Sequence, residues 1–153
     1  MSLPSIDASR LHRFVARVLE ETAFLFASPA EPHLLDDDDV VVELEFFGPT
    51  DGYVLVSAAK GLGPALAAGM LGGDEGDPDV LRSAEDAVAE FTNVVTGFIL
   101  LQLYGTDVVC RLGTPKVMPA AVSRRAELAV HTNLLVDDAH ALSVGVCVYY
   151  REP

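Results

Sequence analysis

The sequence has 153 residues, of which 50% are hydrophobic and 22% charged, which suits one domain with its own core and excludes a disordered chain. A formal net charge of −13, with only ten Lys and Arg, argues against binding to nucleic acid or to an anionic membrane. We also expect no membrane span, because no apolar run reaches about 18 residues. The N-terminal segment lacks the apolar stretch of a secretory signal, and two cysteines make no disulfide framework, so we expect a cytoplasmic protein.

The first half of the sequence predicts a helix, a β-hairpin and a second helix. Apolar residues spaced three and four apart predict a helix over Asp7–Phe26, and the acidic, proline-rich segment SPAEPHLLDDDD predicts a loop. Alternating residues predict strands at Val40–Phe47 and Tyr53–Ala58, joined by the turn residues GPTDG. Lys60–Leu71 is predicted to be a short helix that ends at a glycine pair.

The second half predicts one long helix followed by strands. Asp77 and Pro78 are typical residues for a helix start, and the helix is expected to run to Tyr104. Three strands are predicted at Val108–Leu112, Ala126–Val136 and Ala141–Tyr150, and a further short strand is possible at Lys116–Met118. Together the elements predict a single α+β domain, in which helices pack on a largely antiparallel sheet.

Several groups of reactive residues give weak indications of a site. The run Asp36–Asp39 could attract a divalent cation, but it lacks the Gly and closing Glu of a calcium loop, so a solvated acidic loop is favoured. The four histidines show no metal-ligand spacing. Cys110 and Cys147 fall in predicted strands, where a thiol behaves as a small hydrophobe. No phosphate-binding loop or nucleophile elbow is present. We expect no metal site.

The long helix carries a polar stripe on one side. Asp86, Glu90, Asn93 and Gly97 fall within about 60° of one another at roughly 100° per residue. The opposite side is apolar and contains Ala84, Val88, Phe91, Val95, Phe98 and Ile99. Amphipathicity alone can produce such a stripe, and a Glu-x-x-Asn pair occurs by chance in roughly one in three chains of this length.

The wider pattern is more specific than the pair. Asp86 is followed after three residues by Glu90, after two more by Asn93, then by Gly97 on the same face, and later by a strand and Pro115. This arrangement resembles the CheC/CheX/FliY family of bacterial chemotaxis phosphatases, whose motif is an Asp or Ser, a Glu-x-x-Asn and a distant Pro. The interval from Asn93 to Pro115 is one residue shorter than in the family pattern.

Chain length and element order make the resemblance CheX-like over residues 5–150, which we expect to form one CheX-like phosphatase domain. The first helix carries no second Glu-x-x-Asn, because Glu20 is followed by Ala23 and Glu21 by Phe24. One site per chain is therefore implied, as in CheX-like members.

The resemblance implies a function in two-component signalling. Family members hydrolyse the aspartyl phosphate of a phosphorylated CheY-like response regulator. Asn93 would orient the attacking water, because an amide offers both a donor and an acceptor. Glu90 would pair with a lysine of the regulator and anchor the helix. The resemblance further implies a homodimer with no cofactor of its own, since the regulator would supply Mg²⁺.

Other interpretations stay open at this point. Asp86 is equally a surface carboxylate or a support of the motif, and Gly97 equally admits a partner or a second subunit. The chain is alternatively a non-catalytic CheX-like dimeric module that binds a receiver domain or another signalling partner. A structural dimer without a receiver partner would require the stripe to be accidental. The presence of both Glu90 and Asn93 favours the phosphatase, although a net charge of −13 gives no general steering towards an acidic partner.

Overall fold

The computed structural model describes residues 6–33, 36–121 and 129–149. Helices pack on one face of a seven-stranded antiparallel sheet, so the predicted α+β class is confirmed. In chain order the elements are α1 (Ala8–Ala23), β1 (Ala27–Pro29), β2 (Val40–Phe47), β3 (Gly52–Ala58), α2 (Leu62–Leu71), α3 (Pro78–Arg82), α4 (Ala84–Tyr104), β4 (Arg111–Leu112), β5 (Lys116–Met118), β6 (Val130–Val136) and β7 (His140–Val148).

The sheet has the order β1-β6-β7-β3-β2-β4, and β5 also pairs with β2. Val56 at the centre of β3 lies opposite Val42 of β2 on one side and Val144 of β7 on the other. Successive side chains of a strand point to opposite faces, so these valines share the face on which the helices pack. All three are fully buried in the main core, which fixes the register of the central strands.

A bulge interrupts the edge of the sheet beside β2. Phe46 pairs with Leu112, and Glu43 pairs with Lys116. The two residues of β2 are three positions apart in sequence, whereas their partners on β4 and β5 are four positions apart. One extra residue is thereby accommodated in the Gly113–Pro115 segment, as in a β-bulge. The short strand Lys116–Met118 is confirmed. The predicted strand Val108–Leu112 is wrong in its first three residues, because only Arg111 and Leu112 pair with β2.

Helix α1 ends at Ala23, three residues earlier than predicted. Phe24 adopts a left-handed conformation with φ of 57°, and its N–H bonds to the carbonyls of Leu19 and Glu20. Residues in this conformation commonly end helices, although glycine is the usual choice. The chain then forms β1, which pairs with β6 and which the sequence analysis missed. Strand β1 has only three residues and ends in a proline, so it is too short to show the alternation of polar and apolar residues that predicts a strand.

The long predicted helix is broken into α3 and α4 at Ser83. The Asp77 side chain accepts a hydrogen bond from the N–H of Asp79 at 3.0 Å, which caps α3 as the sequence predicted. The Ser83 N–H bonds to the carbonyls of Asp79 and Val80, which closes the short helix. The prediction of one continuous helix from Asp77 to Tyr104 is therefore wrong at this residue.

Helix α4 is the central helix of the domain. By length and composition alone its 21 residues could cross a membrane, contrary to the expectation that no apolar stretch is long enough. The core helix of a globular domain meets the same criterion. Val88, Phe91 and Val95 of α4 are fully buried in the main hydrophobic core with residues of α1, α2 and the sheet. The apolar character of α4 is thus explained by packing within the domain.

The last two strands form a hairpin. Asp137 and Asp138 have φ values of 51° and 55°, the positive sign that the tightest hairpin turns require. The turn predicted at these two residues is confirmed. Strand β6 begins at Val130 and β7 ends at Val148. The predicted strand residues 126–128 and Tyr150 lie outside the described residues.

A glycine allows α2 to approach the end of α1. A Cβ atom on Gly69 would lie 2.2 Å from the carbonyl oxygen of Ala23, closer than any real Cβ contact. Gly69 therefore sets the distance between the two helices. The contact also helps to fix α1 and α2 beside α4, which carries the candidate site.

Candidate functional site

The polar stripe lies on the side of α4 that faces away from the core. The buried residues of α4 lie on the opposite side and include Val88, Phe91, Val95 and Ile99, at 0–1% exposure. Asp86 and Glu90 are exposed, whereas Asn93 and Gly97 are half-buried. The structure therefore brings the four predicted residues together on one accessible surface, as the period of the helix requires.

Glu90 and Asn93 are adjacent along the stripe. Residues three apart on a helix have Cβ atoms about 5–6 Å apart, so the carboxylate and the amide can contact one partner group together. Within the described residues, neither side chain makes a hydrogen bond or an ion pair. Buried neighbours use their polar groups differently, since the Thr92 and Thr96 hydroxyls donate to the carbonyls four residues earlier at 2.8 and 2.7 Å. The Glu90–Asn93 pair thus keeps its hydrogen-bonding groups available to an external partner.

Asp86 has a structural explanation of its own. It lies with Glu85 in the first turn of α4, where Ser83 provides no side-chain hydrogen bond to the helix N-terminus. A carboxylate in the first turn interacts favourably with the helix dipole, typically by about 0.3–1 kcal/mol. This contribution to helix stability does not require a partner.

Gly97 differs from Gly69 in its surroundings. A Cβ atom built on Gly97 meets nothing within 4 Å, and its φ is not positive. The fold therefore has room for a larger residue at this position. A glycine in a helix interior costs roughly 0.8–1 kcal/mol relative to alanine, so Gly97 destabilises α4 without a packing reason within the described domain.

Pro115 lies in the bulge at the edge of the sheet, between β4 and β5, and is half-buried. It therefore belongs to a different layer from the stripe on α4. The assignment of Pro115 to the family motif stays a prediction.

The acidic run at Asp36–Asp39 has one buried member. Asp36, Asp37 and Asp38 are exposed, as expected for a solvated loop. The Asp39 carboxylate is 2% exposed, and it accepts hydrogen bonds from the Asp36 N–H at 3.0 Å and from His33 Nε2 at 3.2 Å. The interpretation of the whole run as solvated is wrong for Asp39, whose carboxylate bonds back to the Asp36 N–H and to His33. Among the described residues, no three His, Cys, Asp or Glu side chains are grouped to hold a metal.

The two cysteines differ from each other in position. Cys147 lies in β7 as predicted, but Cys110 precedes β4 and is not in a strand. Both are free thiols. Burial raises the pKa of the Cys110 thiol, which disfavours the reactive thiolate.

The sequence analysis missed a tyrosine cluster on the sheet face away from the helices. The Tyr53 and Tyr149 rings lie 5.7 Å apart, and the Tyr149 hydroxyl donates to Glu45 Oε2 at 3.0 Å. Desolvation, followed by the hydrogen bond to Glu45, raises the pKa of Tyr149 to about 12. The alternation of Glu45 against buried neighbours in β2 is the signal that places it on this face. Since the cluster lies across the sheet from α4, it is separate from the stripe.

The domain also has a shallow cavity of about 430 Å³, lined by Phe47, Gly48, Asp51, Val109 and Arg111. None of the four stripe residues lines this cavity. The stripe is a convex helix surface, which suits contact with a protein better than enclosure of a small ligand.

Solved structures with this architecture define the class of domain. The chemotaxis protein CheX from Vibrio vulnificus superposes with a TM-score of 0.74 at 19% identity, covering 97% of this chain and 100% of that chain. CheX from Desulfovibrio desulfuricans has a TM-score of 0.67 at 19% identity, with coverage of 93% and 98%. The CheX-CheY-BeF3-Mg complex from Borrelia burgdorferi has a TM-score of 0.68 at 13% identity, with coverage of 95% and 100%. The fold is that of the CheX proteins.

Sequence comparison identifies the family. Residues 40–131 match the family described as chemotaxis phosphatase CheX, and this range includes α4 with its stripe. The chain belongs to the CheX family of chemotaxis phosphatases. None of the curated proteins matches the chain in sequence.

Proposed function

We propose that this protein hydrolyses the aspartyl phosphate of a CheY-like response regulator, using Glu90 and Asn93 of α4. The observation that carries the proposal is the position of this pair. A carboxylate and an amide lie one helical turn apart, on the accessible side of α4, without partners among the described residues. Membership of a phosphatase family supports the same conclusion. The Borrelia protein that shares the fold forms a complex with CheY, BeF3 and Mg²⁺.

The reaction places few chemical demands on this chain. Water attacks phosphorus in line with the bond to the aspartyl oxygen, and that bond breaks to release inorganic phosphate and the free carboxylate. Asn93 would fix the water through its amide, and Glu90 would bind a lysine of the regulator and so set the register of α4. Mg²⁺ would be held by the regulator and would neutralise charge on the phosphoryl oxygens.

The remaining assignments follow from the same proposal. Asp86 would support the start of α4, and Gly97 would admit close approach of the regulator. The phosphatase domain would extend over residues 5–150, with one site per chain. We further propose a homodimer that acts in the cytoplasm, where it would meet response regulators.

The direct test is phosphate release from a purified regulator of the same genome, phosphorylated by a small acyl phosphate. We expect the wild-type protein to accelerate release in proportion to its concentration, with Mg²⁺ present. The measurement is the decay of the phosphorylated regulator against spontaneous loss. Binding without acceleration for every regulator tested would support the non-catalytic dimeric module instead.

The substitution Gly97→Ala separates the needs of the fold from those of the partner. Because the Cβ position at Gly97 is open, we expect the free energy of unfolding to rise by about 0.8–1 kcal/mol through helix propensity. If the regulator packs against this position, the added methyl group lowers phosphatase activity in the same variant. Thermal unfolding and phosphate release measured together make the test. If the variant is more stable and keeps full activity, Gly97 is not part of the docking surface.

A further inference from the structure

Helix α1 presents a second surface beside the stripe. The rings of Phe14 in α1 and Phe98 in α4 meet edge to face, with centroids 5.8 Å apart. The guanidinium of Arg10 lies 5.3 Å from the centroid of Phe14, and that of Arg17 lies 5.4 Å from the centroid of Phe98. We call these four residues the arginine–phenylalanine ridge. It connects α1 to α4: both rings pack half-buried against the main core, Arg10 is half-buried, and Arg17 is exposed.

The ridge lies near the stripe on the circumference of α4, at the edge of the apolar side. Phe98 follows Gly97 in sequence, and on the helix circumference it is roughly 80° from Glu90. Between them lie Val94 and Leu101, and Leu101 is 46% exposed. A partner that contacts Glu90 and Asn93 thus meets apolar side chains next, and then the arginines.

The part of α1 that carries the ridge is basic, whereas the protein as a whole is acidic. The chain has ten Lys and Arg and a net charge of −13, yet Arg10, Arg13 and Arg17 lie within eight residues of α1. No Asp or Glu occurs between Asp7 and Glu20. Arg17 does pair with Glu21 at 3.0 Å, but both side chains are about 60% exposed, and such pairs contribute little. Arg17 can therefore exchange this partner for another carboxylate at small cost.

Stacking on the rings prepares the arginines for binding. A guanidinium over an aromatic face is attracted to the ring, and the stacking does not use its N–H groups, which lie in the guanidinium plane. Side chains that are already ordered lose less conformational entropy when a partner binds. The ridge is thus suited to bind carboxylates on a protein surface.

We propose that the arginine–phenylalanine ridge docks on the acidic surface around the phosphorylation site of the response regulator. This inference rests on the proposed function. A site that binds Mg²⁺ is built from carboxylates, and the phosphoryl group adds further negative charge. The two surfaces are therefore complementary in charge. The ridge supplies the local attraction that the overall charge of −13 opposes.

The test is the rate of association with the regulator held in its phosphorylated form by BeF3⁻ and Mg²⁺. For the double variant Arg10→Glu/Arg17→Glu we expect the association rate at low salt to fall by about tenfold. The difference from the wild type should shrink towards 1 M salt, where the screening length is about 3 Å. Raising the concentration of the regulator should recover part of the lost phosphate-release rate, because the arginines act on association rather than on the attacking water.

The chain provides a matched control. Arg111 and Lys116 lie on the sheet face opposite the helices, paired with Phe47 and Glu43. Arg111 also stacks on a phenylalanine ring, at 5.6 Å from the centroid of Phe47. The variant Arg111→Glu/Lys116→Glu changes the net charge by the same amount and removes a similar stacking contact. It should slow association far less than the ridge variant.

Each outcome decides the proposal. Equal slowing by the two double variants would show that only total charge matters, and unchanged association of the ridge variant would show that the ridge does not dock. Either result contradicts the docking role of the ridge. The proposed function still stands in that case, provided that the wild type accelerates phosphate release. Failure of the wild type to bind any phosphorylated regulator overturns both. If the charge reversal unfolds the chain, Arg10→Gln/Arg17→Gln replaces it, with an expected slowing of about threefold.

Discussion

Asn93→Ala should abolish the acceleration of phosphate release and leave the regulator bound. If Asn93 positions the attacking water, its loss removes a contribution made only on the way to the transition state, so we expect a fall of at least about 100-fold in turnover. The dissociation constant for the regulator with BeF3⁻ and Mg²⁺ should change by less than about threefold. Phosphate release and equilibrium binding are measured on the same preparation.

The environment of Asn93 makes this variant interpretable. Its side chain has no hydrogen-bond partner among the described residues, and it lies half-buried on the accessible side of α4. Removing it should therefore change the free energy of unfolding by no more than about 0.5 kcal/mol. Asn93→Asp serves as a second variant, because it keeps the size and loses the amide donor. Full activity of both variants would remove the proposed role of Asn93.

The period of an α-helix was sufficient to predict the candidate site. Once Val88, Phe91 and Val95 are assigned to the core, the geometry of the helix places Glu90 and Asn93 on the opposite side. The burial of this apolar side confirms the position of the two residues on the accessible side of α4, and their roles stay predictions. The turn residues between strands were likewise sufficient to predict the antiparallel hairpins β2–β3 and β6–β7, whereas the pairing of β3 with β7 was not predicted.

The features that sequence reasoning missed depend on contacts between distant residues. Strand β1 forms because the Phe26 N–H donates to the Asp137 carboxylate at 2.9 Å and Ala27–Pro29 pair with β6. Burial of Asp39 depends on His33 and on the turn at Asp36. These contacts have no local pattern, because each partner is chosen by the tertiary fold rather than by neighbouring residues.

The break between α3 and α4 was also not predicted, although it depends on local contacts. Asp79, Arg82 and Ser83 satisfy each other locally, through an ion pair between Asp79 and Arg82 and through bonds from Ser83 to the Asp79 carbonyl. Both a continuous helix and a broken one are compatible with that sequence. Because the helix is broken at Ser83, the axis of α4 does not have to continue the axis of α3. The direction in which the stripe faces is therefore set by the packing of α4 itself.

Glu90→Ala should weaken binding of the regulator, in contrast to Asn93→Ala. A charged group that loses its hydrogen-bonded partner typically costs about 1.5–3 kcal/mol, which corresponds to a dissociation constant about 10- to 100-fold higher. Turnover at saturating regulator should fall much less than for Asn93→Ala, because Glu90 acts by anchoring the helix. Titration of the regulator in both binding and phosphate-release assays separates the two effects.

A second glutamate on α4 provides the control. Glu85 is exposed and carries the same charge, but it lies about 140° from Glu90 around the helix, away from the stripe. Glu85→Ala should therefore leave binding within about twofold of the wild type, because an exposed charge outside the interface acts only through screened, long-range attraction. If Glu85→Ala and Glu90→Ala change the dissociation constant equally, the effect comes from net charge, and the anchoring role of Glu90 is wrong. If Glu90→Lys is rescued by a lysine-to-glutamate exchange on the regulator, the two side chains pair directly, since only a direct ion pair depends on both signs at once.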